Sequence, residues 1–141
     1  MKPFIVYVDF DGVITDSDHP ENGIRVRSGT KEFLEAVKAL GGQIHVYSTR
    51  ANYQQIKAIH DHFGVDCWDE MLDVMRGAGI DFHLVMTSQG ASPFIKPYYD
   101  FIIEDKSVPS FTGNWNEALE YIKTRVNDPT FVSVLEKFSF V

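Results

Sequence analysis

Asp9 and Asp11 stand one residue apart, directly after the apolar run Phe4-Ile-Val-Tyr-Val8, and Gly12 follows them. Two carboxylates at that spacing present only acceptor oxygens to a common space. They suit a hard divalent cation such as Mg²⁺, which takes oxygen ligands. They also suit a carboxylate nucleophile beside a carboxylic acid that moves protons. Two plainer readings compete. Asp-Gly is a hairpin-turn signal, so Asp11-Gly12 could merely reverse the chain. A calcium-binding loop would need an acid or Asn at its fifth position and Gly at its sixth; Val13 and Ile14 stand there, and that reading fails.

Further polar groups recur after other apolar runs. Ser48-Thr49-Arg50 follows Gln43–Tyr47, and Glu104-Asp105 follows Phe101-Ile-Ile103. Lys96-Pro97 precedes the latter run, and Pro97 biases Lys96 toward extended backbone. Parallel strands would bring these ends to one edge of a sheet, where open α/β proteins place their ligands. The assembled set can hold Mg²⁺ and a phosphoryl group together. The cation and Lys96 neutralise phosphoryl oxygens, Ser48 donates a hydrogen bond with Thr49 beside it, and a carboxylate attacks in line.

The elements that must position these groups follow from periodicity. Phe4–Val8 reads as a strand buried on both faces. Asp16–Ser28 is a polar, turn-rich loop with a short extended piece at Ile24-Arg25-Val26. A helix spans about Thr30–Leu40, with Phe33, Leu34, Val37 and Leu40 on one face. Ser28 or Thr30 caps it, and Gly41-Gly42 stops it. Gln43–Tyr47 is the second strand. A helix runs to about Phe63, with Ile56, Ile59 and Phe63 on one apolar face; others lie around Trp68–Met75 and over Asn114–Val126. Phe82–Met86 and Phe101–Ile103 complete the strands, with a Thr87–Phe94 loop between them. Alternating strands and helices predict one domain over residues 1–141, with a central parallel sheet and helices on both faces. The apolar tail Phe131–Val141 packs on the core as an extra strand or helix, with a homodimer contact as the alternative.

Composition narrows the setting. The 141 residues carry a net charge of −7, which disfavours a long nucleic-acid partner. One cysteine, Cys67, forbids an intrachain disulfide and fits a reducing, cytoplasmic compartment. No apolar run approaches the roughly 18 residues that a membrane span requires, and no secretory signal pattern opens the chain.

In order, Asp9-Phe-Asp-Gly-Val-Ile-Thr15, Ser48, Lys96-Pro97 and Ile103-Glu-Asp-Lys106 resemble the four motifs of the haloacid dehalogenase-like hydrolases. The resemblance spans about residues 4 to 125. It implies a three-layer Rossmann-like fold and Mg²⁺-dependent phosphatase activity on a small phosphorylated substrate. Asp9 would form an aspartyl-phosphate. Asp11 would serve as general acid and then base, its carbonyl binding Mg²⁺. Ser48 and Lys96 would hold the phosphoryl group, and Asp105 would complete the metal site. An acid at Asp11 favours phosphate chemistry, since dehalogenase members lack one there. The short segments after Asp11 and before Lys96 resemble the capless type. The spacing Lys96-Pro-x-x-Asp100-x-x-Ile103-Glu-Asp105 is similar to small bacterial and phage members and to deoxyribonucleotidases. Relatives with that spacing carry Asp where this chain has Glu104. Glu104 is therefore expected to orient a metal-bound water or Lys96 rather than bind the metal.

Two other functions compete: a nucleotide or nucleic-acid-end phosphatase, and a phosphate- or metal-binding accessory protein with weak catalysis. His60, His62 and Cys67 lack a clear fourth zinc ligand, and residues two apart point to different sides of a helix. Arg50 reads equally as a contact to substrate phosphate and as a surface ion pair, Thr15 needs no role beyond its loop, and Tyr98 and Tyr99 have burial beside Pro97 as a plainer role than stacking on a substrate ring.

Overall fold

A computed structural model describes residues 3–16, 25–48, 53–64, 66–80, 83–85, 99–105 and 110–137. The chain is mixed α/β. Strands β1 (Phe4–Asp9), β2 (Gly42–Tyr47), β3 (His83–Val85) and β4 (Phe101–Ile103) form a parallel sheet in the order β3-β2-β1-β4. Helices α1 (Thr30–Ala39), α2 (Tyr53–Phe63), α3 (Cys67–Gly77), α4 (Trp115–Val126) and a short α5 (Val134–Lys137) accompany it.

β1 lies between β2 and β4, so it is a central strand, and Phe4 through Val8 are all buried. That explains its unbroken apolar run. Phe4, Val6 and Val8 face one core, joined by Ile44, Val46, Phe101 and Ile103 from the neighbouring strands. Phe33, Leu34 and Val37 of α1, Met71 and Met75 of α3, and Trp115 and Ile122 of α4 fill the same core. α1 and α3 share a face for a topological reason. The steps β1→β2 and β2→β3 run in the same direction, and right-handed crossovers then place their helices on the same side. Phe33 stacks on Trp115 at 4.5 Å, which seats α4 beside α1. The alternate residues Ile5 and Tyr7 face the other side, where Tyr7 stacks on His45 and meets Tyr99.

At the amino-terminal edge of the sheet, Asp100 ties three segments together. Its carboxylate accepts from Ile5 N–H at 2.8 Å and Val134 N–H at 2.9 Å, and its own N–H donates to Ile5 O. α5 therefore begins against the start of β4, and Phe131 packs on Phe4 and Phe101. This part of the tail lies on the core; residues 138–141 lie outside the described residues.

Three local expectations need correction. Neither Ser28 nor Thr30 caps α1. Gly29 takes that position in left-handed backbone (φ 86°), without a side-chain bond, and Thr30 Oγ1 donates to Arg27 O instead. Gly41 (φ 98°) turns the chain, whereas Gly42 already belongs to β2. Gly42 pairs with Phe4, and a Cβ on it would stand 2.9 Å from the Phe4 ring. Phe63, expected on the buried face of α2, is exposed because the helix ends there.

Candidate active site

The site begins where β1 ends. Asp9 closes the strand, and Phe10–Ile14 form one wide turn. Asp11 (ψ 127°) and Gly12 (φ 81°) leave helical geometry inside it, so the chain bends at Asp11-Gly12, at the second acid and the glycine after it. The hairpin alternative for Asp11-Gly12 does not apply, because the next strand pairs parallel to β1. Thr15 closes the turn: its N–H donates to Phe10 O at 3.0 Å, and its hydroxyl accepts from Gly12 N–H at 3.3 Å. Thr15 is buried and bridges Val26, which brings the extended piece 25–27 back against the turn. Thr15 thus has a structural role that residue type alone does not disclose.

Register places the other acids beside this turn. Val8 pairs with Ile103, so Glu104 and Asp105 emerge next to Asp9. Gly12 packs on Asp105, and a Cβ at Gly12 would stand 3.1 Å from Asp105 Cγ and closer still to Oδ2. Asp9 shows the electrostatic result. Its carboxyl is pushed up to about 7, first by burial and then by the charges of Asp105 and Asp11, with a smaller push from Glu104; the Phe10 N–H opposes this. Three carboxylates therefore act on Asp9 at the carboxyl ends of β1 and β4.

Ser48, which follows β2, is buried at the same edge, since Asp9 pairs with Tyr47. Thr49, Arg50, Lys96 and Tyr98 lie outside the described residues. So do 17–24 and 86–95, on which the expectation of a capless site rests. Cys67 is buried, while His60 and His62 are exposed on α2.

Among the described residues, no group of three or more His, Cys, Asp or Glu side chains is gathered to hold a metal ion. The carboxylates share a field without meeting at one point. Their chemistry nevertheless fits Mg²⁺: the donors are all oxygen, and burial together with the neighbouring negative charges of Asp105 and Asp11 raises Asp9 to about 7, where a bound cation would favour its ionised form. Asp9, Asp11 and Asp105 are the residues that would hold it.

Sequence reasoning overlooked Arg27, whose guanidinium bonds to the turn. The alternation Arg25-Val26-Arg27 was the available signal. It puts Val26 on one side of an extended segment and both arginines on the other.

No helix among the described residues is long and apolar enough to cross a membrane. No protein-family model and no curated protein matches the chain. In fold it is similar to a conserved protein from Bacteroides thetaiotaomicron, with a TM-score of 0.62 at 20% identity, over 98% of this chain and 99% of that one. At that identity the likeness is one of fold, and it runs nearly end to end in both chains.

Proposed function

We propose that this protein is a Mg²⁺-dependent phosphomonoesterase of the capless haloacid dehalogenase-like type, with a three-layer Rossmann-like fold and a small phosphorylated substrate. The observation that carries the reading is the placement of Asp9, Asp11, Glu104 and Asp105 at the carboxyl ends of two adjacent parallel strands, with Asp9 raised to about 7, first by burial and then by the charges of Asp105 and Asp11. Strongly shifted carboxyl groups concentrate at functional sites.

Mg²⁺, when bound, neutralises phosphoryl oxygens and part of the acidic cluster. Asp9 in its ionised form attacks phosphorus, and the bond to the ester oxygen breaks as Asp11 gives that oxygen a proton. Asp11, now a carboxylate, takes a proton from water as the water attacks the aspartyl-phosphate. The bond from phosphorus to Asp9 then breaks and releases phosphate. Ser48, buried after β2 at the same edge, is assigned to a phosphoryl oxygen, and Lys96 and Thr49 are assigned the same task from the sequence.

The test is steady-state hydrolysis of p-nitrophenyl phosphate with Mg²⁺ and with EDTA. Metal-dependent turnover that vanishes in Asp9→Asn supports the reading. Absence of turnover in the wild type, with Mg²⁺ binding retained, would favour a metal- or phosphate-binding accessory protein. That second reading draws on Glu104 standing where an aspartate is expected.

A further inference from the structure

We infer that Arg27 is a positioning residue for the carboxylate turn, coupling the loop of Asp9 and Asp11 to the strand end of Glu104 and Asp105. The catalytic consequence rests on the phosphatase reading; the clamp itself rests on geometry.

The turn needs an external partner because its backbone does not satisfy itself. Non-helical Asp11 and Gly12 interrupt the hydrogen-bond ladder within Phe10–Ile14. A carbonyl left without a partner away from water costs about as much as a lost hydrogen bond. Arg27 donates to four successive carbonyls. Its Nε reaches Val13 O at 2.9 Å, and one Nη reaches Gly12 O at 3.3 Å and Thr15 O at 3.4 Å. Its backbone N–H reaches Ile14 O at 2.6 Å.

The guanidinium is itself held. It lies 5.3 Å over the Phe111 ring, and Phe111 N–H donates to Glu104 O at 2.8 Å. The Arg27 carbonyl accepts from Thr30 Oγ1 at 2.6 Å, at the first residue of α1. One residue thus links the turn, the segment after β4 and the start of α1. The groups that shift Asp9 are carboxylates and the Phe10 N–H, and the guanidinium is not among them. Arg27 acts through the backbone it holds. Lysine cannot replace it, because an ammonium lacks the planar fork that meets several carbonyls at once.

The test compares wild type with Arg27→Lys and Arg27→Ala. In EDTA, backbone amides over 10–16 should exchange with deuterium about tenfold faster or more in Arg27→Lys, with α4 unchanged. With Mg²⁺ and p-nitrophenyl phosphate, kcat should fall about 10²-fold while KM moves less than about threefold, as expected of a misplaced reacting group. Methylguanidinium at non-denaturing concentration should restore part of the kcat of Arg27→Ala. Unchanged exchange together with wild-type kcat in folded Arg27→Lys overturns the inference. So does a loss of kcat that tracks only the unfolded fraction. If Arg27→Lys does not fold, Phe111→Leu, which unseats the guanidinium, takes its place, and wild-type exchange and kcat there overturn the inference. An inactive wild type overturns the phosphatase reading, while the exchange comparison still decides the clamp.

Discussion

Gly12 and Asp105 are in contact although one lies in the turn after β1 and the other follows β4. A side-chain carbon on Gly12 would stand 3.1 Å from the Asp105 carboxyl carbon. Gly12 also has φ 81°, a conformation that costs other residues roughly 1–2 kcal/mol. Gly12→Ala should therefore lose at least about that much stability, and it should displace Asp105 as well. We expect Mg²⁺ affinity to fall about tenfold or more in this variant. Urea unfolding in EDTA and a metal titration measure the two effects separately. Wild-type metal affinity in Gly12→Ala would show that Asp105 does not depend on this contact.

Asp9 makes stability depend on pH. Its carboxyl sits at about 7 in the folded protein, against an ordinary value of 3.8. The folded state thus holds a proton that the unfolded chain releases. Stability from this group is fully present below about 3.8, is lost as pH rises, and is gone above about 7. In EDTA the wild type should melt at a lower temperature at pH 8 than at pH 5.5. Asp9→Asn, which has no charge to repel, should show a smaller drop and should exceed the wild type at pH 8. The difference is on the order of a few kcal/mol at most, since Asp9 retains some exposure. Parallel melting curves for the two proteins across that range would contradict the crowding of Asp9.

The same turn places Asp11 for proton transfer, and leaving groups discriminate that role. Asp11→Asn should slow an alkyl phosphate by about 10²–10⁴-fold. Its effect on p-nitrophenyl phosphate should be much smaller, because nitrophenolate departs without a proton. Equal losses for the two substrates would assign Asp11 to metal binding alone.

Glu104 and Asp105 are adjacent but differ in reach. Mg²⁺ demands near-octahedral ligands at about 2.0–2.1 Å, and a glutamate places its carboxylate one methylene further out than an aspartate. Asp105, packed on Gly12, has the fixed position that a metal ligand needs. Asp105→Ala should raise the Mg²⁺ concentration required for half-maximal activity sharply, by about 10-fold or more. Glu104→Asp should be mild or should improve turnover. The reverse order in metal titrations would make Glu104 the ligand.

What the sequence made legible was the material governed by burial and by strand order. Phe101–Ile103 was expected as a strand and is one, and the expected helix over Thr30–Leu40 differs from α1 by one residue. Central strands and amphipathic helices carry their periodicity in apolar residues, so they can be read. The placement of Asp9, Asp11, Glu104 and Asp105 at one edge of the sheet followed from parallel pairing alone. The bend at Asp11-Gly12 and the clamp by Arg27 did not. Both depend on where unsatisfied carbonyls point, and that is settled only when residues 25–27 fold back on Thr15. The cap of α1 was misjudged for a related reason: Thr30 spends its hydroxyl on Arg27, inside the same knot of hydrogen bonds.

The junction at Asp100 also sets the order in which the molecule is assembled. Ile5 and Asp100 are separated by 95 positions along the chain, yet they meet through two hydrogen bonds. β1, α1 and β2 are contiguous and can associate as soon as they have been synthesised. β4 joins them only after a long loop has closed, an entropic cost that local pairing does not incur. Asp105 arrives with β4. A ribosome-bound chain that has already exposed Asp9 and Asp11 therefore still lacks the remaining acids of the cluster. On the proposed reading, a nascent or truncated chain is inert until β4 docks, and the onset of catalysis reports that long-range step of folding.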